Sequence, residues 1–131
     1  MYYKVYVPSN DVLINHAAEE TTFDTESSWV KLIEFTLTGK IGAASQFRYK
    51  FDIKGDGLGF PVEGQIWRNG TPIGSIQWMN GAAIYTTFTE DINNTNWVQG
   101  DKVQLYGNTL LTVSAVYVRN FQILGLGSEW S

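Results

Sequence analysis

The sequence predicts an all-β protein, an antiparallel β-sandwich of the jelly-roll type with about eight to ten strands and negligible helix. Three observations predict it. Apolar and polar residues alternate with period two through most of the chain, while helical periodicity is almost missing. Asn-Gly and glycine-rich turn signals separate the alternating segments at short intervals. The 131 residues, 44% of them hydrophobic, are enough for one domain with a core of its own.

The N-terminal part is expected to contribute short strands and a polar arm. Residues 2–7 and 12–16 have strand composition, and an acidic, polar stretch follows at residues 17–28. We therefore divide the chain into an N-terminal strand and arm at residues 1–28, packed on or extending from the sandwich, a sandwich core at residues 29–125, and a tail at residues 126–131.

Two alternating runs mark the first strands of the core. In residues 29–37, Trp29 shares its phase with Ile33 and Phe35, which predicts a buried Trp29. Residues 46–54 give the clearest strand, because Phe47, Tyr49, Phe51 and Ile53 alternate with charged or polar residues. The second run is thus predicted to have one face in the core and the other in solvent.

Residues 64–74 predict a β-hairpin. Asn69-Gly70 is typical of a type I′ turn, in which both central residues need positive φ. This turn places Arg68 opposite Thr71, Trp67 opposite Pro72, Ile66 opposite Ile73 and Glu63 opposite Ile76. One face of the hairpin then carries Trp67, Ile76 and Trp78. Since proline has no N–H to donate, the strand that begins at Thr71 is expected at a sheet edge.

The C-terminal half predicts strands over residues 82–92, 102–106 and 110–124. In the last of these, Arg119 shares its parity with the apolar residues Tyr117, Phe121 and Ile123. Either Arg119 is buried against a carboxylate (Asp52, Asp91 or Asp101), or a bulge at Arg119-Asn120 resets the phase. The sequence allows both alternatives.

No arrangement of residues indicates catalysis. The chain has one histidine, His16, and no cysteine, so a catalytic triad or a zinc site lacks its usual members. Carboxylates occur in pairs, Glu19-Glu20, Glu90-Asp91 and Asp52 with Asp56, but exposed acids are much commoner than catalytic ones. Calcium binding by Asp56, Glu63 or the Glu90-Asp91 pair is the weaker alternative. We assign no catalytic, cofactor-binding or metal-binding residue, and we expect a protein that is not an enzyme.

The composition argues against two classes of binding partner, nucleic acids and membranes. A net charge of −4 and a pI of about 4.8 disfavour DNA or RNA, because phosphate binding requires an excess of Lys and Arg. No apolar run approaches the roughly 20 residues of a membrane span, and residues 1–7 do not resemble a signal peptide. We therefore expect a soluble chain that binds neither nucleic acid nor membrane.

Five tryptophans are the most unusual feature of the composition. Trp97 follows an Asn-rich segment and is predicted to close one end of the sandwich. Trp67 and Trp78 either pack in the core or form an exposed aromatic surface that binds a sugar or a protein. Together with Trp130 in the tail, they are the predicted binding surface.

Six runs along the chain resemble a family of β-sandwich modules that recur in bacteriophage and prophage structural proteins. They are residues 29–35 (WVKLIEF), 47–54 (FRYKFDIK), 64–74 (GQIWRNGTPIG), 88–92 (FTEDI), 100–106 (GDKVQLY) and 117–123 (YVRNFQI). The resemblance covers roughly residues 29–123. Trp67 departs from it, because a tyrosine is expected there. The resemblance implies a capsid decoration protein or a tail or fibre module without catalytic residues. Such proteins are homo-oligomers, commonly trimers.

Two functions follow from these patterns. The main expectation is a non-enzymatic virion protein, assembled in the host cytoplasm, that docks on a major capsid or tail protein. The alternative is a carbohydrate-binding module or receptor-binding tip that uses exposed tryptophans to bind a glycan, such as one on a cell surface.

Overall fold

The computed structural model describes residues 5–7, 11–23, 28–37, 46–93, 97–98, 100–110, 114–125 and 128–130. Every regular element within these ranges is a β-strand, and no helix there could cross a membrane. The strands are β1 (Val5–Val7), β2 (Asp11–His16), β3 (Glu20–Phe23), β4 (Val30–Thr36), β5 (Gln46–Lys54), β6 (Val62–Arg68), β7 (Thr71–Pro72), β8 (Gln77–Met79), β9 (Thr86–Asn93), β10 (Lys102–Thr109), β11 (Ala115–Gly125) and β12 (Ser128–Trp130).

Two five-stranded antiparallel sheets form the sandwich, which confirms the predicted fold class. Sheet I has the order β4-β10-β6, with β7 and β8 both pairing along the remaining edge of β6. Sheet II has the order β11-β5-β9, with β2 and β3 both pairing along the other edge of β11. The chain termini form a third, two-stranded sheet from β1 and β12. Residues 17–28, which were expected to form a polar arm, include the strand β3 of sheet II. The sequence pattern of this segment did not predict a strand.

The core lies between the inner faces of the two sheets. The predicted inner residues of β5 are buried, as are Ile66 of β6 and Leu105 of β10 from the facing sheet. The sheets approach closely at Gly64, where an added Cβ would lie 2.7 Å from a ring carbon of Phe51. Because this contact leaves no space for a side chain, only glycine fits at position 64 without displacing the Phe51 ring.

A bulge in β11 resolves the parity of Arg119. The pairing of β11 with β5 shifts between Arg119 and Gln122, and Asn120 has a φ of 52°. The extra residue turns Val118 and Phe121 both inward, although they are three apart. Arg119 points outward, and its Nε lies 3.1 Å from a carboxylate oxygen of Asp52. The bulge and the ion pair, posed as alternatives, are therefore both present.

A second bulge, in β4, overturns the prediction that Trp29 is buried. Leu105 of β10 pairs with Ile33, whereas the next residue, Tyr106, pairs with Lys31. Leu32 is therefore an extra residue that reverses the alternation on its N-terminal side. Ile33 faces the core, but Trp29 is only half-buried and its ring lies near that of Trp67. Counting by twos through residue 32 gave the wrong face.

The hairpin has the predicted turn. Asn69 and Gly70 have φ of 50° and 81°, and Trp67 and Arg68 pair with Pro72 and Thr71 as expected. β7 lies at the edge of sheet I, as Pro72 predicts.

The predicted pairing of Glu63 with Ile76 is wrong, because Glu63 pairs with Trp78. Two extra residues leave the edge between β7 and β8, and the N–H of Ser75 donates to the carboxylate of Glu90 in sheet II. Since the shift is an even number, Trp78 stays on the same face as Trp67, as predicted.

One end of the sandwich is closed around Asp101. Its carboxylate accepts hydrogen bonds from Arg68 Nη2 at 2.7 Å, from the N–H of Val98 at 3.0 Å and from Asn69 Nδ2 at 3.0 Å. Burial alone raises the pKa of Asp101, but the N–H of Val98 and the side chains of Asn69 and Arg68 outweigh it and hold the pKa below its ordinary value. This carboxylate therefore ties the hairpin turn to the start of β10.

Trp97 completes this end, as predicted. It is buried, and its indole N–H donates to the hydroxyl of Tyr49 at 2.7 Å. The guanidinium of Arg68 lies 5.0 Å from the centre of the Trp97 ring.

We predict that Asp101→Asn lowers the free energy of unfolding by about 2–4 kcal/mol at neutral pH, because it removes the charged acceptor that binds Arg68, Asn69 and the N–H of Val98. A carboxyl whose folded-state pKa is depressed stabilises the fold above its unfolded-state pKa. That stability is lost as the pH falls through the lower folded-state pKa. The variant should therefore lose less stability between neutral and acidic pH than the parent chain.

Urea denaturation followed by tryptophan fluorescence measures both effects. Asp91→Asn is the matched control, since it breaks the more exposed pair with Arg48 and should cost only about 0–1 kcal/mol. Equal losses for the two variants would contradict the structural role of Asp101.

Candidate functional site

The outward faces of the two sheets differ in composition. Along residues 48–54 of β5 and 87–91 of β9 in sheet II, the outward residues are charged or are threonine, as expected of a face that only needs to be solvated. Sheet I instead carries aromatic and amide side chains on its outward side. We call these residues the aromatic face: Trp29, Lys31, Glu34, Glu63, Gln65, Trp67, Trp78, Gln104, Tyr106 and Asn108.

Three rings form a continuous cluster at the centre of the aromatic face. Trp67 and Tyr106 stack with their centroids 3.9 Å apart and an angle of 13° between the ring planes. The Trp29 ring lies 6.3 Å from Trp67 and is tilted by 52°. All three side chains are half-buried, so the cluster retains exposed aromatic surface. Ring stacking limits their rotation, and the surface is ordered before any ligand arrives.

Glutamine side chains fasten the cluster to the backbone. The indole N–H of Trp67 donates to Gln65 Oε1 at 3.2 Å, and Gln65 Nε2 donates to the carbonyl of Gly74 at 2.9 Å. Gln65 is buried beneath its neighbours although it points away from the core. Gln65 therefore fixes the orientation of the Trp67 ring relative to the backbone at Gly74, which lies at the edge of the sheet.

A second glutamine connects the hairpin turn to the opposite edge. Gln104 Oε1 accepts from the N–H of Gly70 at 2.8 Å, and its Nε2 donates to Glu34 at 2.8 Å. Lys31 Nζ lies 2.9 Å from the same carboxylate oxygen of Glu34. The hydrogen bonds from Gln104 and Lys31 lower the pKa of Glu34 below its ordinary value. Glu34 is thus ionised and paired.

The β8 edge carries an exposed ring beside a carboxylate. Trp78 is 53% exposed, which is unusual for a tryptophan in a strand. It pairs directly with Glu63, whose carboxylate accepts a hydrogen bond from Asn108 Nδ2 at 2.9 Å. Measured along β6, the Glu63–Trp78 pair lies about 13 Å from Trp67, because Glu63 and Trp67 are four positions apart in that strand.

The structure brings together two of the three residues predicted as a binding surface. Trp67 and Trp78 lie on the aromatic face, one in its centre and one at its edge. Trp130 pairs with Val5 through its backbone in β12, and its side chain lies outside the described residues.

Sequence reasoning missed Tyr106, which alternates with Gln104 and Asn108 on the solvent side of a strand whose inner residues are Val103 and Leu105. An aromatic residue on the polar side of such a strand was a usable signal. Trp29 could not have been found, because the bulge at Leu32 hides its true face.

The other polar candidates lie elsewhere and apart from one another. His16 pairs with Glu20 at 2.9 Å, Asp91 pairs with Arg48, and Asp56 accepts the backbone N–H groups of Leu58 and Ala115. Within the described ranges, no three His, Asp or Glu side chains are arranged to hold a metal ion.

A shallow cleft of about 430 Å³ lies beyond β8, lined by Gly57, Gly59, Asn80 and Ala82. Since three of these four residues are glycine or alanine, the cleft offers few side-chain groups for recognition.

Comparison with solved structures finds likenesses in fold. The chain is similar to the C-terminal domain of EclA, a sugar-binding protein, with 12% identity, a TM-score of 0.59 and coverage of 82% of this chain and 77% of that one. It is similar to the CBM22-1 xylan-binding domain of Paenibacillus barcinonensis Xyn10C, with 12% identity, a TM-score of 0.51 and coverage of 92% and 98%.

A third likeness is to the CBM36-1 domain of a multidomain xylanase from the hindgut metagenome of Trinervitermes trinervoides. Here the identity is 10%, the TM-score 0.51 and the coverage 96% of this chain and 100% of that one. No family model and no curated protein sequence matches the chain.

The expected role as a virion structural protein is wrong. Of the three similar structures, one is a domain of a sugar-binding protein, one is a xylan-binding domain and one is the CBM36-1 domain of a xylanase, and none is a virion protein. The physical reason is that runs such as 47–54 and 64–74 encode a strand with one buried face and a tight turn, which β-sandwiches of many functions require. The expected capsid or tail partners and the virion location depended on the same resemblance, and nothing in the described chain supports them.

We predict that Gln104→Leu raises the pKa of Glu34 toward its ordinary value of 4.5, because the variant removes the hydrogen bond that lowers it most. Carboxyl-carbon NMR titration measures the change. Lys102→Gln is the matched control, since Lys102 is the weakest of the groups that lower this pKa. An unchanged Glu34 titration in Gln104→Leu would show that this hydrogen bond is not formed in solution.

Proposed function

We propose that this protein binds carbohydrate on the aromatic face, without catalysing a reaction. The observation that carries the proposal is the cluster of Trp29, Trp67 and Tyr106 on the solvent side of sheet I, framed by amide and carboxylate side chains. The core between the sheets is complete without these rings, and a contiguous aromatic surface on an outer face is typical of a ligand-binding site.

The chemistry of the face suits a sugar. The C–H surfaces of a pyranose ring are apolar and pack against exposed aromatic rings, while its hydroxyl groups both donate and accept hydrogen bonds. Glu34 and Glu63 provide acceptors, whereas Gln65, Gln104 and Asn108 are buried and hold the side chains of Trp67, Glu34 and Glu63 in place. Because these groups are already held by one another, little side-chain entropy is lost when a ligand binds.

The geometry favours an extended chain of sugars over a single one. The aromatic face runs from Lys31 and Glu34 on β4, through the ring cluster, to Trp78 on β8. It crosses four strands at about 4.8 Å spacing, a width of roughly 15 Å. This width exceeds that of a single sugar ring, so the face offers room for several linked sugars.

The similarity in fold to sugar-binding and xylan-binding domains supports the same proposal. At 12% identity the likeness concerns the fold, and the site argument depends on the residues of this chain.

We predict that Trp67→Ala and Tyr106→Ala each weaken oligosaccharide binding by at least about tenfold, because each removes half of the stacked pair that forms the surface. Isothermal titration with xylohexaose, cellohexaose and the hexamer of N-acetylglucosamine measures affinity. Tyr117→Ala is the matched control, since Tyr117 is a half-buried tyrosine of sheet II. Circular dichroism establishes that each variant is folded.

The proposal fails if none of these oligosaccharides binds, or if the two aromatic-face variants bind them as the parent chain does. Loss of binding in Tyr117→Ala alone would place the site on sheet II instead.

A further inference from the structure

The charges on the aromatic face are unevenly compensated. At the β4 edge, the carboxylate of Glu34 is paired with the ammonium of Lys31 at 2.9 Å. At the β8 edge, the carboxylate of Glu63 has one hydrogen-bond partner among the described residues, the neutral amide of Asn108. One edge is therefore close to neutral, whereas the other carries a net negative charge.

No basic residue in the described part of sheet I lies close to Glu63. The described part of this sheet contains three basic residues, Lys31, Arg68 and Lys102. Arg68 is held by Asp101 at the closed end of the sandwich. Lys102 lies six residues from Asn108 along β10, about 20 Å away, and Lys31 lies on the far edge strand, roughly 12 Å from Glu63 in the sheet lattice. Both separations exceed the screening length of about 8 Å at physiological ionic strength.

The group beside Glu63 is the exposed indole of Trp78. The face of a tryptophan ring attracts a cation, and a carboxylate within reach of the same cation adds a charge-assisted hydrogen bond. Asn108 holds the Glu63 carboxylate in place, so the acceptor and the ring are presented together at the open edge. A sugar ring that bears an ammonium group suits both side chains, because the ammonium group can bind the Glu63 carboxylate while the apolar C–H surface of the sugar packs on the Trp78 ring.

We propose that Glu63 and Trp78 form a subsite for the ammonium group of an amino sugar, so that the aromatic face prefers a linear glycan with free amino groups over its N-acetylated or neutral counterparts. This inference rests on the proposed function and specifies its ligand class. The net charge of −4 favours the approach of a cationic chain. Glycans bearing carboxylate or sulfate groups are disfavoured at this edge by repulsion from Glu63.

The test compares two hexasaccharides that differ in one substituent, the hexamer of glucosamine and the hexamer of N-acetylglucosamine, by isothermal titration with the full chain. At a pH where the amine is protonated, we expect the glucosamine hexamer to bind about tenfold more tightly. We expect this preference to shrink as salt is added, and to disappear at alkaline pH where the amine is neutral.

Glu63→Gln should abolish the preference, because it should weaken binding of the glucosamine hexamer by about tenfold more than binding of the N-acetylated hexamer. The variant is isosteric and its amide oxygen can still accept the hydrogen bond from Asn108, so the fold is retained, which circular dichroism checks. Glu34→Gln is the matched control, because that carboxylate already has a cationic partner. It should change the two affinities in the same proportion.

The outcomes separate this inference from the proposed function. Equal affinity for the two hexamers, both lost in Trp67→Ala, would overturn the amino-sugar subsite and leave carbohydrate binding standing. A preference that survives in Glu63→Gln would also overturn the subsite. Binding of tetralysine as tightly as the glucosamine hexamer would show that Glu63 responds to charge alone and would overturn its assignment to a sugar. Failure of every oligosaccharide to bind would remove both proposals.

Discussion

The structure depends on the burial of one side of each five-stranded sheet against the other, at a distance short enough that Gly64 must be glycine opposite Phe51. With the inner sides packed in this way, every large side chain of the sandwich either lies in the core or stands on an outer face. Along residues 48–54 and 87–91, sheet II has charged and threonine side chains on its outer face. Sheet I instead carries the stacked rings of Trp67 and Tyr106 on its outer face, and the proposed function rests on them.

The aromatic face is assembled from strands far apart in the sequence. Trp29, Trp67 and Tyr106 come from β4, β6 and β10 or their ends, and the antiparallel pairing of β10 with both neighbours brings them together. The bulge at Leu32 is the decisive detail, because without it Trp29 would point into the core. The bulge in β4 therefore places Trp29 beside the rings that β6 and β10 contribute.

Polar contacts make this surface rigid. Gln65 and Gln104 point outward but are buried, at 8% and 4% exposure, and each is bonded to the backbone of the hairpin region. The same turn is tied to Asp101 at the end of the sandwich through Asn69. The core, the hairpin and the aromatic face are therefore connected by hydrogen bonds, and a ligand meets groups whose positions are already set. That rigidity supports the proposed binding of an extended glycan.

The sequence by itself determined the features that depend on neighbouring residues. The all-β class, the buried side of β5, the Asn69-Gly70 turn, the edge position of Pro72 and the shared face of Trp67 and Trp78 all follow from alternation and turn chemistry over a few residues. The tertiary structure decided the rest. The bulges in β4 and β11, the outward position of Trp29 and the stacking of Tyr106 on Trp67 arise from pairing between distant strands. The alternation of residues within one strand does not show where pairing with a distant strand introduces a bulge. The members of the site could therefore be identified only from the paired strands.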